Sequence, residues 1–163
     1  YEGNPEQFRA KASSKLDQGE RIKPLAQVGF DTLVSFDEQH FPTRRNTFLK
    51  AWATQADHHG LAILRGHEIC AYGIIRPCSL GYKIGPLFAQ TTAQACHLIL
   101  ALCSNLEPQT PVYLDPPASN VMAINLAQSL GMRMVFETAR MYKGATPSLP
   151  IENIYGITSF ELG

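Results

Sequence analysis

Apolar residues change their period along this chain, from helical spacing to strand-like runs and back. Leu25, Val28, Phe30, Leu33, Val34 and Phe36 predict a helix from about Leu25 with a turn at 29–31. His40-Phe41-Pro42-Thr43 breaks the pattern, and Thr43 can cap the helix that follows. That helix, over 44–56, carries Phe48, Leu49 and Trp52 on one face. After Gly60 the residues read as strands. Runs at 61–64 and 69–75 are joined by a Gly-containing hairpin connection at 65–68. A third strand, 82–88, is interrupted by Gly85-Pro86. Residues 93–105 read as a helix, 111–115 as a short strand ending at Pro116-Pro117, and 154–162 as a final strand. Residues 1–21 are polar. They read as a linker or arm, partly helical over 5–16, before a domain covering 22–163.

The sharpest local signal spans 120–143, NVMAINLAQSLGMRMVFETARMYK. Asn120 can cap a helix, its side-chain oxygen taking a first-turn N–H. Val121, Ile124, Leu126, Ala127 and Leu130 keep helical spacing. Gly131 stands where a left-handed residue ends the helix. Met132, Met134, Val135 and Phe136 then restart as a strand.

Composition narrows the class. A length of 163 residues suits one core, and 45% apolar with 17% charged residues is the balance of a globular domain. Fourteen basic and fourteen acidic residues cancel without a basic run, which argues against nucleic acid as partner. The longest apolar run, 98–103, is far too short to span a membrane. Neither a signal peptide nor an initiator Met is present, so a chain opening YEGNPEQF is expected to be a piece of something longer. Cys70, Cys78, Cys96 and Cys103 form no C-x-x-C pair. They read as free thiols in a reducing cytoplasm, with no metal.

The 120–132 unit resembles the signature N-x-x-A-x-x-L-Y-x-x-L-G-F of the GNAT N-acyltransferases. Asn120, Ala123, Leu126, Leu130 and Gly131 match; Met132 replaces Phe, and Ala127 stands where many such enzymes place an acidic tyrosine. The order of elements from about Leu25 onward is similar to the GNAT order. Tyr1-Glu2-Gly3 resembles the R-Y-E-G strand that ends the first domain of bacterial tandem-GNAT proteins. FP-x-x-R-x-x-F-L, YGIIRPC, GYKIGPLF, FETARMYKG and FELG are similar to their C-terminal half.

The resemblance implies an α/β fold with a mixed, mostly antiparallel sheet flanked by helices. It implies acetyl-CoA as co-substrate, a small-molecule amine as acceptor and an N-terminal GNAT domain as partner. The acyl-CoA would lie where strands 82–89 and 112–115 splay apart. Leu87, Phe88 and Ala89 would offer backbone to the pantetheine arm. Thr91 and Thr92 would face the pyrophosphate at the next helix's N-terminus, with Asn120 completing the cofactor set. The loop Gln90-Thr91-Thr92-Ala93-Gln94-Ala95 lacks the family's glycines, and Thr92 also reads as an ordinary helix cap.

Attack of an amine on a thioester needs a base, an acid and an oxyanion donor. Asp115 and Tyr82 are the catalytic candidates, with Glu137 a further base. Asp115, before two prolines, reads equally as a turn residue. Arg76, Lys83 and Tyr142 could line a polar substrate site, or be common strand-end residues. Arg44 and Arg45 oppose the dipole of their helix, which points to a partner carboxylate or to a solvated face. Two functions follow: an N-acyltransferase seen through its C-terminal domain, or a catalytically silent GNAT-like module completing the acceptor site of another domain.

Overall fold

The computed structural model describes residues 1–11 and 15–161, which place helices on both faces of a seven-stranded sheet. The chain runs β1 (Glu2–Gly3), α1 (Pro5–Lys11), β2 (Glu20–Pro24), α2 (Phe30–Asp37), α3 (Asn46–Thr54), β3 (His59–Arg65) and β4 (Glu68–Cys78). It continues with β5 (Gly81–Ala89), α4 (Thr92–Leu102), β6 (Val112–Leu114), α5 (Val121–Ser129) and β7 (Ile154–Gly156). Short 3-10 turns lie at Leu25–Gln27 and Ile151–Asn153. The spatial order is β1-β6-β5-β4-β3-β2, with β7 pairing β5 off that path. β5 and β6 are parallel, and the other strand pairs are antiparallel. This is the mixed, mostly antiparallel, helix-flanked sheet expected.

Both sheet faces are buried, which is why β3 and β4 read as continuous apolar runs rather than alternating ones. Leu61 and Ile63 turn to one face, Ala62 and Leu64 to the other. The first face packs Phe8, Leu98, Leu102, Leu126 and Leu130 from α1, α4 and the end of α5. The second packs Leu33, Phe36 and Leu49 from α2 and α3 on Tyr72 and Phe88.

α5 forms as its sequence predicts. Asn120 Oδ1 accepts the Ala123 N–H at 3.0 Å. Gly131 takes φ +83°, where a Cβ would strain. That conformation lets Gly131 N–H reach Gln128 O at 2.9 Å and Met132 N–H reach Ala127 O at 3.0 Å, the paired bonds of a Schellman end.

Other expectations shift. The helix expected from Leu25 is a 3-10 turn followed by α2 at Phe30. α3 begins at Asn46, and Thr43 does not cap it. The stretch read as an arm packs onto the domain: β1 pairs β6, and Phe8 is buried. The rest of the helix expected over 5–16 crosses residues 12–14, outside the described residues. Gly85-Pro86 does not interrupt β5, which runs through it with a register shift opposite, between Gly73 and Ile75. The strand expected from Met132 stops at once. Arg133 makes one bridge to Glu2, and Met134, Val135 and Phe136 are exposed. A strand needs facing backbone, and the described residues supply no ladder beyond that bridge. The final strand is only Ile154–Gly156, and residue 162 lies outside the described residues.

Candidate functional site

β5 and β6 run side by side only from Tyr82↔Val112 to Ile84↔Leu114. Beyond Ile84 they part, and the V between them is the place the sequence reading assigns to acyl-CoA. It is filled by the chain's own tail. β4 holds one edge of Leu87 and Phe88, and β7 takes the other, pairing Gly156 with Leu87 and Ile154 with Phe88. Ile157 N–H then donates to Asp115 O at 3.0 Å. Gly85 is glycine because a Cβ there would lie 2.6 Å from the carbonyl oxygens of both Ile157 and Thr158. Leu87, Phe88 and Ala89 are therefore where the V was expected, all buried, but Leu87 and Phe88 give their free edge to protein.

The N-terminus of α4 is partly closed by its own cap. Thr91, not Thr92, is its cap: Gln94 N–H donates to Thr91 Oγ1 at 3.2 Å, and Thr91 N–H to Gln94 Oε1 at 3.1 Å. This capping box satisfies the N–H groups of Thr91 and Gln94, which would otherwise be open to an anion. Gln94, itself buried, donates to Glu20 at 2.7 Å, and Glu20 also takes Arg65 at 2.8 Å. Thr92 Oγ1 shares a 2.8 Å hydrogen bond with the hydroxyl of Tyr155, the middle residue of β7.

Two buried groups hold the tail. Asn120 points its amide nitrogen at the carbonyls of Ile151, Glu152 and Ile154, each at 3.0 Å. The other is a polar network under α2 and α3. Arg45 grips Asp37 with two bonds, Nε to Oδ2 at 2.8 Å and Nη2 to Oδ1 at 2.7 Å. Its Nη1 donates to Thr158 Oγ1 at 2.9 Å, just past β7. Tyr72 also donates to Asp37. Side-chain exposure is 8% for Arg45 and 2% for Asp37. Burial opposes the Arg45 charge, yet the Asp37 bond and the charges around it raise its pKa above the usual value. Burial, then Asp37, pushes the Tyr72 phenol well up.

One open pocket of about 320 Å³ lies where β5 and β6 begin to part. Lys83 and Asp115 form an ion pair there, with side-chain exposures of 13% and 10%. The Lys83 ammonium sits 4.1 Å from the centroid of the Phe160 ring. Tyr1, Tyr113, Val135 and Phe136 supply other walls.

Of the residues singled out for catalysis and substrate binding, Lys83 and Asp115 share this pocket. Tyr82 packs against the apolar cluster beneath α4 and α5, on the sheet face opposite the pocket. Arg76 faces Lys83 across the β4–β5 ladder but lies on Trp52, 5.2 Å from the ring, outside the pocket lining. Tyr142 is exposed beside Arg140, and Glu137 is exposed. Arg44 pairs at the surface with Glu38, whereas Arg45 is the buried member of its pair of arginines. Sequence reasoning passed over Asp37, Tyr72, Thr158 and Tyr155. Only the dipole-opposing Arg45 signalled the network, as a cation in a first turn wanting a carboxylate.

Among the described residues no group of three or more His, Cys, Asp or Glu could hold a metal ion, and no helix is long and apolar enough to cross a membrane. None of the four cysteines is in a disulfide, and burial pushes the Cys103 thiol up to about 12.

Residues 33–156 match the family model of the acetyltransferase (GNAT) domain. The chain is 30% identical over 152 residues to holothin acyltransferase of Pseudoalteromonas sp. (strain SANK 73390), covering 93% of this chain and 51% of that protein. It therefore spans about half the length of the curated relative it matches. Among solved structures it is similar to a Pyrococcus horikoshii chain described as an acetyltransferase, with TM-score 0.71, 20% identity, 91% of this chain and 47% of that one. It is also similar to the aminoglycoside enzyme AAC(6')-Iy in complex with the bisubstrate analogue CoA-S-monomethyl-acetylneamine, with TM-score 0.59, 11% identity and coverages of 77% and 99%. These two likenesses show the fold.

Proposed function

The chain belongs to the GNAT acetyltransferase family, and we propose that it is the half of a longer N-acyltransferase that leaves acyl-CoA to a second GNAT-like half. The observation that carries this reading is β7 in the V. Residues Leu87 and Phe88 would have to give up Gly156 and Ile154 before a pantetheine arm could pair with them. The tail they hold is fastened by Asn120 and, through Thr158, by Arg45. The capping box on α4 competes with a pyrophosphate for two of the backbone donors at that end, the N–H groups of Thr91 and Gln94. Ala127, fully buried in α5, has no proton to give a leaving thiolate. The residues present do not fit acyl-CoA, and no step of the reaction is routed through this half.

In this reading acetyl-CoA is the co-substrate of the whole protein, and the proposed N-terminal GNAT domain of the same polypeptide binds it. Support comes from length, since this chain covers about half of its relative. The acceptor is a small-molecule amine. The Lys83–Asp115 pair faces the junction of the two halves and offers the acceptor a carboxylate in partly dry surroundings, where a charged contact counts for more. A pocket near 320 Å³ is the size of a small ligand. Tyr82, Arg76 and Tyr142 have no part in it. The proposed partners include neither nucleic acid nor membrane, and four cysteines outside any disulfide fit a reducing compartment such as the cytoplasm.

The test is the stoichiometry of the longer protein. Titration with acetyl-CoA is expected to saturate at one equivalent per polypeptide. Saturation at two equivalents of similar affinity would sink the reading, because each half would then hold its own donor.

A further inference from the structure

The chain begins an edge ladder and does not finish it. Glu2 and Arg133 exchange both backbone bonds, each 2.8 Å, at the outer edge of β1. From residue 134 to residue 148 no backbone group is paired among the described residues. This is not a polar loop. It contains MVFETARMY, and Phe136 is 65% exposed and Met141 87% exposed, with Met134 and Val135 also in solvent. Leu80 and Phe160 extend the apolar surface beside it. A strand-like stretch with open backbone and large apolar side chains marks a surface that another strand covers.

We propose that the polypeptide preceding Tyr1 in the longer protein continues β1 and pairs antiparallel with residues 135–142. This rests on the two-half reading above. The register identifies the occupant. Glu2 stands opposite Arg133, so Tyr1 falls opposite Met134. Each residue before Tyr1 then falls opposite the next one from Val135 onward. The opposite edge of the same strand is already set, because Tyr1 and Leu114 exchange bonds of 2.8 and 3.0 Å. The incoming backbone therefore passes between Asp115 on one side and Val135 and Phe136 on the other, along the rim of the Lys83–Asp115 pocket. The last strand of the first half becomes a shared strand of the second, and the pocket faces the junction.

Hydrogen exchange on the longer protein and on this chain alone tests the proposal. Amides in 135–142 are expected to exchange at least about tenfold more slowly in the longer protein, and near the open rate in this chain. Antiparallel pairing aims alternate N–H groups at the partner. Because Glu2 and Arg133 are a bonded pair, the N–H of Val135 points at the incoming strand and that of Phe136 points away. In the longer protein Val135→Pro is expected to abolish the protection, and Phe136→Pro to keep most of it. Fast exchange of 135–142 in both proteins overturns the proposal. So does protection in this chain as a monomer, and so does protection in this chain as a dimer by sedimentation, which would make a second copy the occupant. Acetyl-CoA stoichiometry does not enter these outcomes. Two equivalents bound with the edge protected would sink the silent-half reading alone, and one equivalent with the edge open would sink the shared strand alone.

Discussion

Asp37→Ala should lower the stability of this domain by about 3–5 kcal/mol, because it leaves a buried guanidinium without its carboxylate. Arg45 loses both strong bonds and keeps the Thr158 hydrogen bond and the faces of the Phe41 and Phe48 rings. Tyr72, fully buried, loses its acceptor. For a domain of this length each kcal/mol moves the melting temperature by roughly 2–4 °C, so the change is large on any thermal scan. Urea unfolding measures it directly. A loss below about 1 kcal/mol would mean that water reaches the pair and that the network is not a buried one. Apolar replacement of both partners, Asp37→Leu with Arg45→Met, should recover much of the loss, since two matched apolar groups leave no uncompensated charge.

Asn120→Ala should cost about 2–4 kcal/mol, from two separable causes. The helix cap on Ala123 is worth about 1 kcal/mol, with a range of about 0.5–2. The carbonyls of Ile151, Glu152 and Ile154 lose this donor, though Ile151 O keeps the Ile154 N–H, and a buried acceptor left unpaired costs roughly 1–3 kcal/mol. Asn120→Asp tells the two apart. An aspartate caps as well as asparagine but faces those carbonyls with oxygens. If the clamp on the tail matters, the aspartate variant should be no more stable than the alanine one, and residues 151–156 should exchange faster in both. An aspartate variant as stable as the wild type would show that Asn120 is only a cap.

These two residues also mark how far the sequence could be read. Asn120 was legible as a cap because a cap is a local event, decided within three residues. Its second role depends on carbonyls more than thirty residues away, and spacing along α5 carries no trace of them. The order of helices and strands was legible for the same reason: period follows from which faces are buried, and β3, β4, β5, α4 and α5 bury theirs strongly. β7 is three residues long and its pairing partner is nowhere encoded in its own pattern. The tail could be seen as a strand, but not as the strand that fills the V. Thr91 and Thr92 were one residue apart in their claims to the cap, and the reciprocal Gln94 bond decided it. Residues 132–136 read as a strand, yet Met134, Val135 and Phe136 lie in the open. The pattern reports what a segment can pair with, and among the described residues only Glu2 meets it, through Arg133. Lys83 and Asp115 were both visible as chemistry, while Tyr82, their companion in sequence, faces the other side of the sheet because side chains alternate along a strand.

The proposal that the V of this domain belongs to its own tail, and not to acyl-CoA, stands or falls on ligand binding. Calorimetric titration of this chain with acetyl-CoA tests it most directly. No saturable heat is expected at ligand concentrations up to about 1 mM, the scale of a binding free energy near −4 kcal/mol. A single site with a dissociation constant near 1 µM, about −8 kcal/mol, would contradict it, because a ligand could bind that tightly only in a V that the tail does not hold.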